Sequence, residues 1–475
     1  LKKKIWISIG TIAILLIIGV VYLLHSWGVF ATSFKEANND TLEVKQQPLP
    51  IPPLLEDKNP DSNKAEFEIT AQEGSMEFFD GTITKTRGYN GDFLGPVIRV
   101  RTGEEVSVKV KNELDESTTL HWHGLEVDGE NDGGPHNEIK PGETWYPEFT
   151  IEQPAATLWY HPHQMHKTGK QVYEGMAGLF IIEDEVSDSL NIPKDYGVND
   201  VPLVIQDRRF DKEGQFDYEL GMKDSIVGFE GDTILVNGAV NPYLEVPQGM
   251  VRLRILNGSN GRIYNLEFSN KQAFYQIASD GGFLEESVKM NELTLGPGER
   301  AEILVDFSNL AKNETVELLD QGINFMSFVV SKDSDKEFIV PEKLTTIEKI
   351  EESKATTTRV FNFQGTGSSV SINGEQMDMD RIDEEVKLGA TEIWEVGNFT
   401  GQTHPFHAHG AQFQILERDG NPPPANESGW KDTFLVAPGE NVRVIATFKH
   451  KGIFMYHCHI LEHEDAGMMG QFSVE

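Results

Sequence analysis

The run Tyr456-His457-Cys458-His459-Ile460-Leu461-Glu462-His463, followed by Met468, gathers the residue types best suited to chemistry. Cys458 is the one cysteine in the chain, so no intrachain disulfide can form. A thiolate, imidazoles and a distant thioether form the ligand set of a blue-copper electron-transfer centre. In a strand, alternate side chains face opposite ways, which sends His457 and His459 to one side and Cys458 to the other. One short segment can then bind copper through Cys458 on one face and other metals through the two histidines on the opposite face, a few covalent bonds apart. The plainer reading is a small buried thiol flanked by core histidines. Three more His-x-His pairs upstream weigh against it: His121/His123, His161/His163 and His407/His409.

The four pairs supply eight imidazoles. Imidazole suits copper, zinc, iron and nickel alike; the Cys–Met set beside the pairs favours copper. Eight histidines without carboxylates can serve three metals at two or three ligands each, which leaves open positions for O2.

These pairs ride on a repeat. Short runs rich in Val, Ile, Thr and Phe, broken by Gly, Pro and Asn, mark an all-β body from about Ala65 onward. Pro141-Gly142-Glu143, Pro297-Gly298-Glu299 and Pro438-Gly439-Glu440 each introduce an alternating strand. Earlier in each unit a Gly is followed, across a strand, by an Asn: Gly103 and Asn112, Gly249 and Asn257, Gly389 and Asn398. Three copies predict three consecutive β-sandwich domains at 65–190, 191–335 and 336–475, with a charged linker over 331–357. The His-x-His pairs fall in the first and third units. The metal cluster is therefore expected between the outer domains, with the middle one as a spacer.

A net charge of −35 argues against nucleic acid and anionic membrane as partners and draws cations to the surface. Lys2-Lys3-Lys4 precede an apolar run from Ile5 to Leu24, the pattern of a signal peptide or spanning anchor over 1–30. A poor cleavage site after it favours an uncleaved anchor, with the body extracytoplasmic, held at the cell surface or secreted, and touching membrane through this segment alone. Residues 31–64 are polar and then proline-rich, and read either as an extended spacer or as a strap on the first domain.

Taken together, Trp122-His123-Gly124, Tyr160-His161-Pro162-His163, His404-Pro405-Phe406-His407-Ala408-His409 and the Cys458 run through Met468 resemble the multicopper oxidases, from about Ala65 to Glu475. The resemblance implies cupredoxin-like Greek-key domains and four coppers per chain. A type 1 copper would take His404, Cys458, His463 and Met468. A type 2 copper would take His121 and His407. A type 3 pair would take His123, His161, His163, His409, His457 and His459. It implies one-electron oxidation of small reductants, relay through Cys458 and reduction of O2 to water, with Asp132 and Glu464 as proton-relay acids. His25, His136, His166 and His450 fall outside the motifs. The nearest pattern is that of bacterial copper-efflux oxidases, with two departures. The segment Asp333–Thr358 lacks methionine, and Thr400-Gly401-Gln402-Thr403 precedes His404. Soft thioethers hold Cu(I), and only Met377 and Met379 lie nearby in sequence. The expectation is thus a type 1 site exposed to bulky phenolic reductants, in a monomer. Cuprous or other metal-ion oxidation is the alternative. A scaffold without activity, as in cell-division relatives of this fold, is the third reading.

Overall fold

A computed structural model describes residues 46–61, 63–334 and 336–475. The expected anchor over 1–30 lies outside them, as does the first part of the linker. Among the described residues no helix is long and apolar enough to cross a membrane.

The described residues form six sheets in three pairs. Their strands show the alternation that makes one face apolar: Glu105–Asn112 is buried at every second residue. The first pair encloses Phe67, Ile69, Val108, Leu120 and Trp122. The second encloses Leu203, Ile255, Phe268 and Phe328, and the third Phe361, Trp394, Phe406 and Phe472. Helices are few and short. The protein is all-β, built of cupredoxin-like β-sandwiches.

The repeat seen in sequence has a physical cause. The backbone N–H of Gly142, Gly298 and Gly439 donates to the carbonyl of Asn112, Asn257 and Asn398 respectively, each at 2.9 Å. These glycines have φ of 79°, 85° and 79°, a region costly for any residue with a Cβ. Each Asn amide also spans two carbonyls: Glu116 and Ile139, Arg262 and Leu295, Gln402 and Val436. A buried Asn thus closes the same corner in every unit, its amide joining two carbonyls from separate segments.

Register positions the histidines. Strand His121–His123 pairs with Ala156–His161, with His121 opposite His161. Strand His404–Ala408 pairs with Gly452–Cys458, with Phe406 opposite Cys458 and His407 opposite His457. Alternation then puts His404 and Cys458 on one face of the sheet and His407 and His457 on the other.

The described part of the linker is a strap rather than a spacer. Leu49 donates to the Tyr243 carbonyl and its side chain enters the middle core. Leu55 donates to Val97 in the first unit. The strap ties the two units together. Truncating Leu49, only 6% exposed, to Ala should lower stability by about 2 kcal/mol or more. The same change at Leu54, 43% exposed, should cost about 0.5 kcal/mol or less. Urea midpoints of both variants test this, and equal midpoints contradict a packed strap.

Candidate metal centre

The first cluster joins His404, Cys458 and His463. His404 Nδ1 lies 3.3 Å from Cys458 Sγ, and His463 Nδ1 lies 3.8 Å from it. The other nitrogen of each ring is occupied. His404 Nε2 stands 2.8 Å from Thr400 Oγ1, and His463 Nε2 donates to the Ile226 carbonyl at 3.1 Å. Each ring therefore turns an Nδ1 lone pair toward the sulfur. Burial pushes the Cys458 thiol well above its usual range, so only a cation beside it would make it a thiolate. Met468 is brought back by the short helix Leu461–Asp465 and a turn at Gly467, φ 96°. Its carbonyl accepts from Cys458 N at 3.0 Å, and its side chain is buried.

The eight histidines of the four His-x-His pairs converge between the first and third sheet pairs, all buried. Their tautomers follow from their outer partners. His121 Nδ1 donates to the Asp132 carbonyl and His407 Nδ1 to the Asp432 carbonyl, each at 2.9 Å. His161 Nδ1 meets the Pro162 carbonyl at 2.8 Å and His457 Nδ1 the Cys458 carbonyl at 3.1 Å. His409 Nδ1 meets Asp132 Oδ2 at 2.8 Å. Each of these rings turns its Nε2 inward. His123 is inverted: its Nε2 donates to Asp432 Oδ1 at 3.0 Å, leaving Nδ1 inward.

The inward nitrogens face one another. His163 and His409 Nε2 lie 3.2 and 3.3 Å from His457 Nε2, and His123 Nδ1 lies 3.4 Å from His161 Nε2. Neutral nitrogens that have given their proton outward offer lone pairs to each other, which repel. Two imidazoles about 2.0 Å from one tetrahedral metal stand about 3.3 Å apart. His121 Nε2, His407 Nε2 and both nitrogens of His459 have no partner among the described residues. The residues fit metal ions with nitrogen ligands, and the adjoining thiol and thioether fit copper.

Asp132 and Glu464 both reach this cluster. Asp132 Oδ2 bridges His409 Nδ1 and, at 3.3 Å, His121 Nδ1. Burial works to raise its carboxyl, but His409 and His121 outweigh that and hold it well below the usual range. Glu464 places its two oxygens 3.3 Å from His163 Nδ1 and 3.2 Å from His457 Nδ1. Burial, with Asp465 beside it, drives its carboxyl well above the usual range. Their surroundings thus push the two carboxyls in opposite directions.

Other expectations fare differently. Met377 donates its N–H to the Gly467 carbonyl and Met379 O accepts from Gln471, so both lie against the turn that carries Met468. Each is half-buried. His136, His166 and His450 stand outside both clusters, bonded to or near Gln471, Asp465 and Asp128. His25 lies outside the described residues. The expected open type 1 edge is absent: His404 and His463 are fully buried, and helix Met222–Val227 of the middle unit covers His463 through Ile226. That covering segment lies far from His463 in sequence and carries no motif. Asp432 and Thr433 were likewise missed. A signal existed, since Thr433 sits opposite His407 in the strand after Lys431.

The depressed histidines set the acid stability of the metal-free protein. Burial, then neighbouring imidazoles, lowers His404 to about 3, while burial and His121 lower His409 to about 4. Their ordinary value is near 6.5. As pH falls below about 6.5, unfolded imidazoles take up protons that folded ones refuse until about 4. The unfolded state binds more protons, so stability is full above this window and is lost on descending through it, by up to about 1.4 kcal/mol per histidine per pH unit. Asp465, raised to about 7 by burial and then Glu462, opposes this, but such carboxyls are outnumbered by the imidazoles. The urea midpoint of chelator-stripped protein should fall between pH 7 and 5; a flat or rising midpoint contradicts the buried neutral cluster.

Comparison with known proteins agrees with this chemistry. Residues 70–187 and 341–475 each match a family model described as multicopper oxidase. The chain is 42% identical to "Multicopper oxidase mco" of Staphylococcus aureus over 431 residues, 89% of this chain and 92% of that one. It is 37% identical to "Cell division protein FtsP" of Escherichia coli, over 90% of this chain and 93% of that one. The crystal structure of a laccase from Pediococcus acidilactici is similar, with a TM-score of 0.87 and 42% identity over 91% of this chain and 95% of that one. A converging set of histidines beside a Cys–His site, on a chain that matches along most of its length, makes this protein a member of the multicopper oxidase family: a copper-dependent oxidoreductase that uses O2.

Proposed function

We propose that the chain is a laccase-like oxidase that takes single electrons from phenolic and other aromatic reductants and passes them to O2. The observation that carries this reading is the inward convergence of imidazole lone pairs, six of them on rings whose outer nitrogen is already bonded. His404, Cys458 and His463, with Met468 as the weak axial donor, would hold the type 1 copper. His121 and His407 would hold type 2. His123, His161 and His459 would hold one type 3 copper, and His163, His409 and His457 the other, for four in all. Copper at these positions supplies one-electron uptake at the first site and four-electron reduction of O2 to two waters at the second.

The protein's own groups supply the rest. Cys458 is bonded through backbone to both His457 and His459, so the two ligand sets share one covalent segment. Six of the eight rings are held by outward hydrogen bonds, which fix the nitrogen each would offer a metal. Glu464 can hold and release a proton between His163 and His457. Asp132, ionised, can take one beside His409. Electrons would enter at His463, whose outer nitrogen meets the Ile226 carbonyl.

Exposed apolar side chains on the segments that cover His404 and His463 support an aromatic reductant. Phe399, beside the Thr400 that holds His404, and Met222, on the helix that covers His463, are each 73% exposed. Metal-ion oxidation is favoured instead by one feature: Met377 and Met379 alternate with Asp378 and Asp380 against the type 1 turn. The FtsP likeness raises a cell-division role without catalysis, against which stands the intact ligand set. Placement outside the cytoplasm, with membrane contact through the N-terminal apolar run, a linker ahead of three sandwich domains, and a monomeric state belong to the same proposal.

Cys458→Ser should abolish the intense blue absorption and nearly all oxidase activity while the histidine cluster keeps its copper. Metal analysis and phenol oxidation test this; near-normal turnover in the variant contradicts the relay. Met377→Leu with Met379→Leu, close in volume, should leave both phenol and Cu(I) turnover within about twofold. A selective loss of Cu(I) oxidation of about tenfold, near 1.4 kcal/mol, would move the chain to metal-ion oxidation.

A further inference from the structure

The middle unit supplies none of the proposed ligands, yet one of its side chains reaches the cluster. Arg300 is fully buried and uses all its N–H groups. Nε donates to the Thr157 carbonyl of the first unit at 3.1 Å. Nη1 and Nη2 donate to the Gly298 and Asp280 carbonyls of its own unit. The same two nitrogens grip Asp432 of the third unit, at 2.7 Å to Oδ1 and 2.6 Å to Oδ2. Asp432 then touches two of the proposed ligands. Its Oδ1 accepts from His123 Nε2, and its carbonyl accepts from His407 Nδ1. Gln412 Nε2 completes the carboxylate at 2.8 Å.

His123 is the ring inverted relative to its neighbours, and Asp432 Oδ1, with Thr433 Oγ1 that donates to it, occupies the nitrogen the others turn inward. A second observation marks the same contact. A Cβ at Gly124, the residue after His123, would lie 2.5 Å from Asp432 Oδ2 and 2.6 Å from Arg300 Nη2. Gly124 also has φ 91°. The backbone there leaves room only for the guanidinium–carboxylate pair.

We propose that Arg300 is a positioning residue for the three-copper cluster: it clamps Asp432 so that His123 presents Nδ1 and His407 presents Nε2 to the metals. This rests on the ligand assignment given above. The middle unit is then a working part of the centre. A planar fork is required, because two parallel N–H bonds fix the carboxylate's rotation and a lysine's single ammonium cannot.

The test compares Arg300→Met and Arg300→Lys with Arg254→Met. Arg254 is buried near the same junction, bonded to Asp200, Thr157 and Glu302, and touches no histidine. Copper-loaded proteins are dialysed against graded chelator, with copper counted by metal analysis, the type 1 site by its blue band and the fold by thermal unfolding. Arg300→Met should release cluster copper at about 10–100-fold lower chelator than wild type, with the blue band retained and Arg300→Lys in between. Arg254→Met should be destabilised yet hold cluster copper as wild type does. Retention by Arg300→Met, or equal loss from Arg254→Met, overturns the proposal. If Arg300→Met does not fold, Arg300→Lys, which keeps the charge and loses the planar fork, decides in the same way. Wild type that binds a single copper defeats the ligand assignment itself, and this inference with it.

Discussion

Neutral imidazoles whose lone pairs face one another a little over 3 Å apart, in a buried space, are an arrangement a protein cannot favour for its own sake. Each ring must be stripped of water, denied its proton and held against its neighbours' repulsion. The fold meets those costs by giving nearly every ring an outward acceptor, either a carbonyl or a carboxylate. It also braces the strands that carry the rings through paired sheets. What offsets the strain is a cation at the point of convergence.

That constraint explains why three sandwiches are needed where two carry ligands. A cluster shared between the outer units requires their relative position to be fixed to within the tolerance of a metal–nitrogen bond. The middle unit fixes it in several ways. Arg300 spans all three units with one guanidinium. Arg254 and Arg252 are locked by Asp200 and Glu302, and Thr157 of the first unit joins that network. The strap at Leu49 closes the far edge. Helix Met222–Val227 caps His463. Buried ion pairs of this kind are costly to assemble, and their value lies in a single allowed geometry.

Local features were legible in the chain itself. The Pro-Gly-Glu and Asn signals marked the repeat because one Asn amide and one left-handed Gly close each sandwich corner. The His-x-His spacing marked the cluster because a strand sends alternate residues to one face. The two faces of the Cys458 strand follow from that same alternation. Contacts between units were not legible. Asp432 meets His123 across 309 residues and Arg300 across 132. Each belongs to a residue type that usually sits on a surface. The cover over His463 was missed for the same reason, since a five-residue stretch such as Met222-Lys223-Asp224-Ser225-Ile226 carries no sign of where it docks. The strap was half legible: its prolines indicated extended chain, but nothing in them indicated what lies beneath.

Copper counting on the wild-type protein addresses the central claim most directly. Protein reconstituted with Cu(II), freed of loose ions and assayed for metals and visible absorption should hold about four coppers per chain, one of them blue, as one cysteine site and one eight-imidazole cluster require. A single copper per chain, or zinc retained at the cluster in the presence of ample copper, would contradict it.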